Sequence, residues 1–96
     1  MILNCEFKDN ESYNPNGSYT PAGGGLRIHR SDVIIKNNIF HHNESYEAGA
    51  IACYDKSAAE IINNTIVNNI ARYASPSGVV AYYSPVIVRN NIIYYN

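Results

Sequence analysis

Tryptophan is absent from these 96 residues, methionine occurs once, and leucine and phenylalanine occur twice each. Helical domains build their cores from leucine and other straight-chain helix formers, so this composition argues against an α-helical fold. Cysteine is scarce too. Cys5 and Cys53 are too few for a disulfide framework, and no CxxC spacing offers a metal or redox site. No apolar run approaches the roughly 18 residues that span a bilayer, and Met1-Ile2-Leu3-Asn4-Cys5 shows neither the basic stretch nor the apolar stretch of a secretory signal. Charge of either sign is thin, at 16% of residues and a formal net charge of -1, which leaves no basic footprint for nucleic acid.

What the chain does contain is 14 Asn, 13 Ile and 9 Tyr. Isoleucine and tyrosine suit a pleated strand, while asparagine tolerates left-handed backbone and hydrogen-bonds locally at turns. The 46% hydrophobic content is enough to fold one small domain, which we read as residues 1–96.

The chain also repeats itself. Cys5-Glu6-Phe7-Lys8-Asp9-Asn10, Asn38-Ile39-Phe40-His41-His42-Asn43, Asn64-Thr65-Ile66-Val67-Asn68-Asn69 and Asn91-Ile92-Ile93-Tyr94-Tyr95-Asn96 share one pattern, at steps of 33, 26 and 27 residues. Between them a small-residue pair leads into a short alternating run and then Ser: Gly24-Gly25-Leu26-Arg27-Ile28 to Ser31, Gly49-Ala50-Ile51-Ala52-Cys53 to Ser57, and Ser77-Gly78-Val79-Val80-Ala81 to Ser84. Each Ser stands seven residues before the next Asn, an offset that chance does not explain. Read with period two, the inward columns are Leu26/Ile51/Val79, Ile28/Cys53/Ala81, Val33/Ala59/Val86, Ile35/Ile61/Val88 and Phe7/Phe40/Ile66/Ile93. Each unit supplies three short strands that cannot bury their apolar side alone, so the units must stack. That is a parallel β-solenoid. A leucine-rich repeat would need its leucine framework, and a hexapeptide β-helix would need steps in multiples of six.

These residues carry a family resemblance. Asn37-Asn38-Ile39-Phe40, Asn63-Asn64-Thr65-Ile66 and Asn90-Asn91-Ile92-Ile93, each behind a Ser-x-Val/Ala-x-Ile/Val strand, resemble the coils of right-handed parallel β-helix proteins, the pectin-lyase-like group. The resemblance covers nearly the whole chain and implies an all-β right-handed parallel β-helix of about three to four coils. It also implies internal ladders of stacked side-chain amides, Asn38/Asn64/Asn91 and Asn10/Asn43/Asn69/Asn96, with Cys5 in place of Asn at one first rung. Such coils occur in polysaccharide lyases, glycoside hydrolases and adhesins, so it implies an extracellular or cell-surface setting. Neither end reads as a cap. We expect an internal piece of a longer protein, or ends that associate with another copy.

Functional candidates lie on outward positions. Arg27, His29, Tyr54 and Tyr82 fall on outward columns of the strand after the small-residue pair, a platform on which sugar rings can stack. An insertion, Glu11 to Ala22, would wall one side, as such loops do in the family resembled. Asn10-Glu11-Ser12-Tyr13 recurs as Asn43-Glu44-Ser45-Tyr46, which stacks Glu11 over Glu44. Two carboxylates roughly 5 Å apart suit a retaining glycosidase pair or a Ca²⁺ site. No other cofactor is expected. His41 and His42, adjacent in sequence, should point to opposite sides of a strand end and so not share a metal; the cysteines read as buried small hydrophobes. Two functions follow: a segment that binds or processes polysaccharide, whose enzyme class would be a lyase or glycoside hydrolase, or a non-catalytic structural or adhesin-like solenoid.

Overall fold

A computed structural model describes residues 1–14, 16, 21–73 and 75–96. The chain winds as a right-handed parallel β-helix, with no helix among the described residues. None is therefore long and apolar enough to cross a membrane. One coil runs through β4 (Leu26–His29), β5 (Val33–Lys36), β6 (Ile39–His41) and β7 (Glu44–Ser45). The next runs through β8 (Ile51–Tyr54), β9 (Ala59–Ile62), β10 (Thr65–Val67) and β11 (Ile70–Ala71). Before them lie β1 (Ile2–Leu3), β2 (Glu6–Lys8) and β3 (Glu11–Ser12), and after them β12 (Val79–Tyr82), β13 (Val86–Arg89) and β14 (Ile92–Tyr94). Corresponding strands pair in parallel into four sheets: β4-β8-β12, β1-β5-β9-β13, β2-β6-β10-β14 and β3-β7-β11.

A full coil thus has four strands where the sequence shows three. The extra one, following the second ladder asparagine, is two residues long and too short to display alternation. It takes Glu11 and Ser12 out of the expected insertion and places them in β3. Half of the rest of that insertion, Pro15 and residues 17–20, lies outside the described residues.

Register follows the inward columns read from the sequence. Leu26, Ile51 and Val79 align, as do Ile35, Ile61 and Val88, and Phe7, Phe40, Ile66 and Ile93. Ile35, Phe40, Ile51, Ile61 and Ile66 are wholly buried, and each contributes about 1.5–3 kcal/mol by leaving water. Phe7 stacks on Phe40 with ring centroids 4.6 Å apart and planes 3° from parallel.

Both asparagine ladders form. In the first, the backbone N–H of Asn38 donates to Asn64 Oδ1 at 2.9 Å, and that of Asn64 to Asn91 Oδ1 at 2.7 Å. Between the end rungs each Nδ2 then donates forward to the next Oδ1 and back to a carbonyl one coil behind, as Asn64 does to Asn91 at 3.0 Å and to Ile35 O at 2.9 Å. The second ladder repeats this through Asn10, Asn43, Asn69 and Asn96. An amide carries donors and acceptor on one planar group, so it alone can satisfy itself and the backbone at every rung. Cys5 occupies the first rung by its backbone only, donating to Asn38 Oδ1 at 2.8 Å. Its side chain is exposed, not buried as expected, because no earlier coil covers it within these residues; Cys53 is buried as expected.

The residue before every rung has positive φ: Asn4 (before Cys5), Asn37, Asn63 and Asn90 in the first ladder, and Asp9, His42, Asn68 and Tyr95 in the second. This explains the Asn-Asn doublets, whose first member turns the corner in left-handed backbone while the second enters the ladder. The turned residue brings its side chain beside that of the preceding outward residue. The expectation for the histidine pair is therefore corrected: with His42 at φ 54°, its Nδ1 comes to 2.8 Å from His41 Nδ1, on one side of the corner. Gly49 marks another close approach, where a Cβ would meet the Ile70 backbone nitrogen and oxygen at 2.6 Å.

Candidate binding face

The outward side of the sheet β4-β8-β12 is formed by two columns. The first, Arg27/Ala52/Val80, is in register as the sequence indicates, but Ala52 and Val80 are buried rather than open. Ala22 and Ala48 fold over them, forming a small apolar cluster outside the coil with Tyr54 packed against it. Ala22 pairs with Glu47 in a parallel bridge, so the chain leaving the insertion and the chain before Gly49 together wall one side of the face.

The second column is His29/Tyr54/Tyr82. Tyr54 and Tyr82 stack with centroids 5.1 Å apart and planes 18° from parallel, and the Arg27 guanidinium stands 5.1 Å from the Tyr54 ring centre. Such a cation over an aromatic face is worth about 0.5–1 kcal/mol at an exposed site. The Tyr54 hydroxyl donates to Glu47 Oε2 at 3.2 Å. Burial, reinforced by the Glu47 charge, pushes the Tyr54 phenol up to about 12. His29 departs from the stack: its Nε2 donates to Asp55 Oδ2 at 2.7 Å, and Arg30 approaches the same carboxylate oxygen at 4.0 Å.

Tyr83 completes the face. It sits at the corner with φ 49° and is 89% exposed, which puts its ring in solvent beside Tyr82. A shallow depression of about 300 Å³ is lined by Glu47, Tyr54, Asp55, Tyr82 and Tyr83. A neighbouring one of about 590 Å³ is lined by Arg30, Asp55, Lys56 and Tyr83. The structure therefore brings together Arg27, Tyr54 and Tyr82 from the sequence-read set, turns His29 aside, and adds Glu47, Asp55 and Tyr83. The signal for Tyr83 was its place beside Tyr82 and just before Ser84, which keeps the constant offset to the next ladder asparagine; Glu47 lies outside any repeated column and gave none.

Glu11 and Glu44 do stack in register. Arg72, from the following coil, lies across both: its Nη2 donates to Glu11 Oε1 at 3.0 Å, its Nε donates to Glu44 Oε1, and its guanidinium covers the Tyr13 ring at 4.8 Å. The carboxylates are thus engaged by a cation rather than facing each other bare. Among the described residues, no group of three or more His, Cys, Asp or Glu side chains is arranged to hold a metal ion.

The family model for the right-handed β-helix region matches residues 1–93. The chain belongs to that family. Neither characterised proteins nor solved structures give a match to it.

Proposed function

We propose that this β-helix segment binds polysaccharide on the outward face of β4-β8-β12, in an extracellular or cell-surface setting. The observation that carries the reading is the pair of exposed tyrosines at the end of β12. Tyr82 is 39% exposed and Tyr83 89% exposed, so two rings offer flat apolar faces to solvent on a rigid strand and its corner. A sugar ring presents C–H groups on one face and hydroxyls at its rim. The tyrosines would take the C–H face, and Arg27, Arg30, Asp55 and Glu47 stand at the edges to hydrogen-bond the rim. A parallel solenoid repeats its columns about 4.8 Å apart, which suits an extended chain lying along several coils.

A non-catalytic structural or adhesin-like solenoid segment is the second reading. It is favoured by Arg72, which holds both members of the stacked pair Glu11 and Glu44. On that reading the segment serves as an adhesin-like or spacing module.

A glycan array probed with the chain and with Tyr54→Ala and Tyr82→Ala tests the proposal. Loss of the Tyr82 ring should weaken binding about tenfold or more, on the scale of the roughly 1–3 kcal/mol that a base gains by stacking on one aromatic side chain, and loss of Tyr54, on which Tyr82 stacks, should weaken it less. Binding unchanged in both variants would refute a tyrosine platform.

A further inference from the structure

The corner after β6 gathers a group that the tyrosine face does not use. His41 Nδ1 and His42 Nδ1 lie 2.8 Å apart, with ring planes at 76°. On its far side, His41 Nε2 lies 2.8 Å from Glu6 Oε1, one coil back. A carboxylate accepts only, so Nε2 carries the proton, and a neutral His41 is left with a lone pair on Nδ1 aimed at its neighbour. Two bare lone pairs cannot face each other at that distance. Either one nitrogen carries a proton or a cation lies between them.

The corner is built to hold this geometry. His42 is fixed in left-handed backbone at φ 54°, its N–H donates to Asn68 O at 3.1 Å, and the next residue, Asn43, is a buried ladder rung. The His41 side chain is only 21% exposed and is pinned by Glu6. We propose that this corner is a binding site for a divalent transition-metal ion, with His41 Nδ1 and His42 Nδ1 as ligands and Glu6 as a positioning residue. A carboxylate holding the second nitrogen of a ligating imidazole fixes its tautomer and raises its basicity.

The donor set selects the ion. Imidazole nitrogen suits Cu²⁺, Ni²⁺ and Zn²⁺, with Cu²⁺ bound most tightly, and gives little to Ca²⁺ or Mg²⁺. Nitrogens bound at about 2.0–2.1 Å in tetrahedral array stand about 3.3 Å apart, so the pair need open by only about half an ångström. The exposed His42 ring can supply that movement. Charge favours it as well: Glu6 and Asp9 are negative and Lys8, in register beneath His41, is positive, which leaves the neighbourhood net negative with both imidazoles neutral. Asp9 occupies the same left-handed corner one coil earlier and adds to the local negative charge, while water would fill the positions that the two imidazoles leave open.

Titration of the intact chain with CuCl₂, NiCl₂ and ZnCl₂ near neutral pH, followed by calorimetry and by copper electron paramagnetic resonance, tests the site. The expected result is one ion per chain, Cu²⁺ tightest, with a spectrum reporting two nitrogen donors. His42→Asn should abolish stoichiometric binding without altering the fold, because Asn68 already stands at the same corner of the next coil. Glu6→Gln should keep the stoichiometry and weaken affinity about 10–100-fold. Absence of stoichiometric binding in the wild-type chain, or equal affinity in His42→Asn, would overturn the site. Unchanged affinity in Glu6→Gln would overturn the positioning role.

Discussion

The two sides of a single strand obey different rules. Inside β8, Ile51 and Cys53 stack in register between Leu26 and Val79 and between Ile28 and Ala81, and every member of those columns is apolar. Outside, the column through Tyr54 passes from histidine to tyrosine to tyrosine, and the column through Ala52 passes from arginine to alanine to valine. The outward column of β2, β6, β10 and β14 changes at each step, through Lys8, His41, Val67 and Tyr94. Stacking at fixed spacing forces likeness only where side chains are enclosed between coils. What is specific to this chain is therefore written on the outside, where a change costs little.

The sharpest way to break that comparison is to mutate two adjacent asparagines. Asn64 is a buried rung and Asn63 is the exposed corner before it. Asn64→Ala strands the N–H of Asn38, an Nδ2–H of Asn38 and the carbonyl of Ile35. At about 1–3 kcal/mol for each unsatisfied buried group, urea unfolding of the chain should show a loss on the order of 3–9 kcal/mol. Asn63→Ala keeps all three bonds and adds only the strain of alanine in left-handed backbone, about 1–2 kcal/mol. Similar losses in the two variants would mean that the ladder is not what holds the coils in register.

The two cysteines sharpen the same contrast with a smaller effect. Cys5 is exposed and Cys53 is fully buried in the core, where burial pushes its thiol up to about 11. In the native chain a thiol reagent should label Cys5 promptly and Cys53 on the order of a hundredfold more slowly or less, because the reactive thiolate must first become accessible. The raised value also has a sign. The folded state holds the Cys53 proton where the unfolded state would release it, so this contribution is intact below about pH 9 and is lost as pH rises toward about 11. Equal labelling of both thiols in the folded chain would show that the core opens freely.

How much of this was legible in the sequence follows from the same division. Phe7, Phe40, Ile66 and Ile93 could be aligned by eye because enclosure repeats residue type, and the ladders because only an amide can serve every rung. The two-residue strands Glu11–Ser12, Glu44–Ser45 and Ile70–Ala71 could not, since alternation needs more positions to show. The burial of outward Ala52 and Val80 was hidden for another reason: it depends on Ala22 and Ala48 folding back from outside the repeat. The meeting of His41 with His42 hinged on one backbone angle, since period-two reasoning assigns neighbours to opposite faces and fails where the corner residue takes positive φ. Arg72 escaped notice because its partners, Glu11 and Glu44, lie 61 and 28 residues away and share no column with it.

That arginine supplies the smallest effect and the most direct check on the outer surface. Glu11 stacks over Glu44, and like charges directly opposite one another in a sheet repel. Arg72 turns this repulsion into a shared ion pair, yet its side chain is 42% exposed and surface pairs of this kind contribute little. Glu44→Gln removes both the repulsion and one attraction, so its melting temperature should stay close to that of the parent at any salt concentration. Arg72→Ala removes only the attraction and leaves two carboxylates facing each other. Its melting temperature should fall at low ionic strength and recover as salt screens the pair, since the Debye length shrinks to about 3 Å at 1 M. Combining Arg72→Ala with Glu44→Gln should restore the low-salt value, because no repelling pair then remains. A drop in Arg72→Ala that salt does not relieve would assign the loss to packing on Tyr13 instead of to charge.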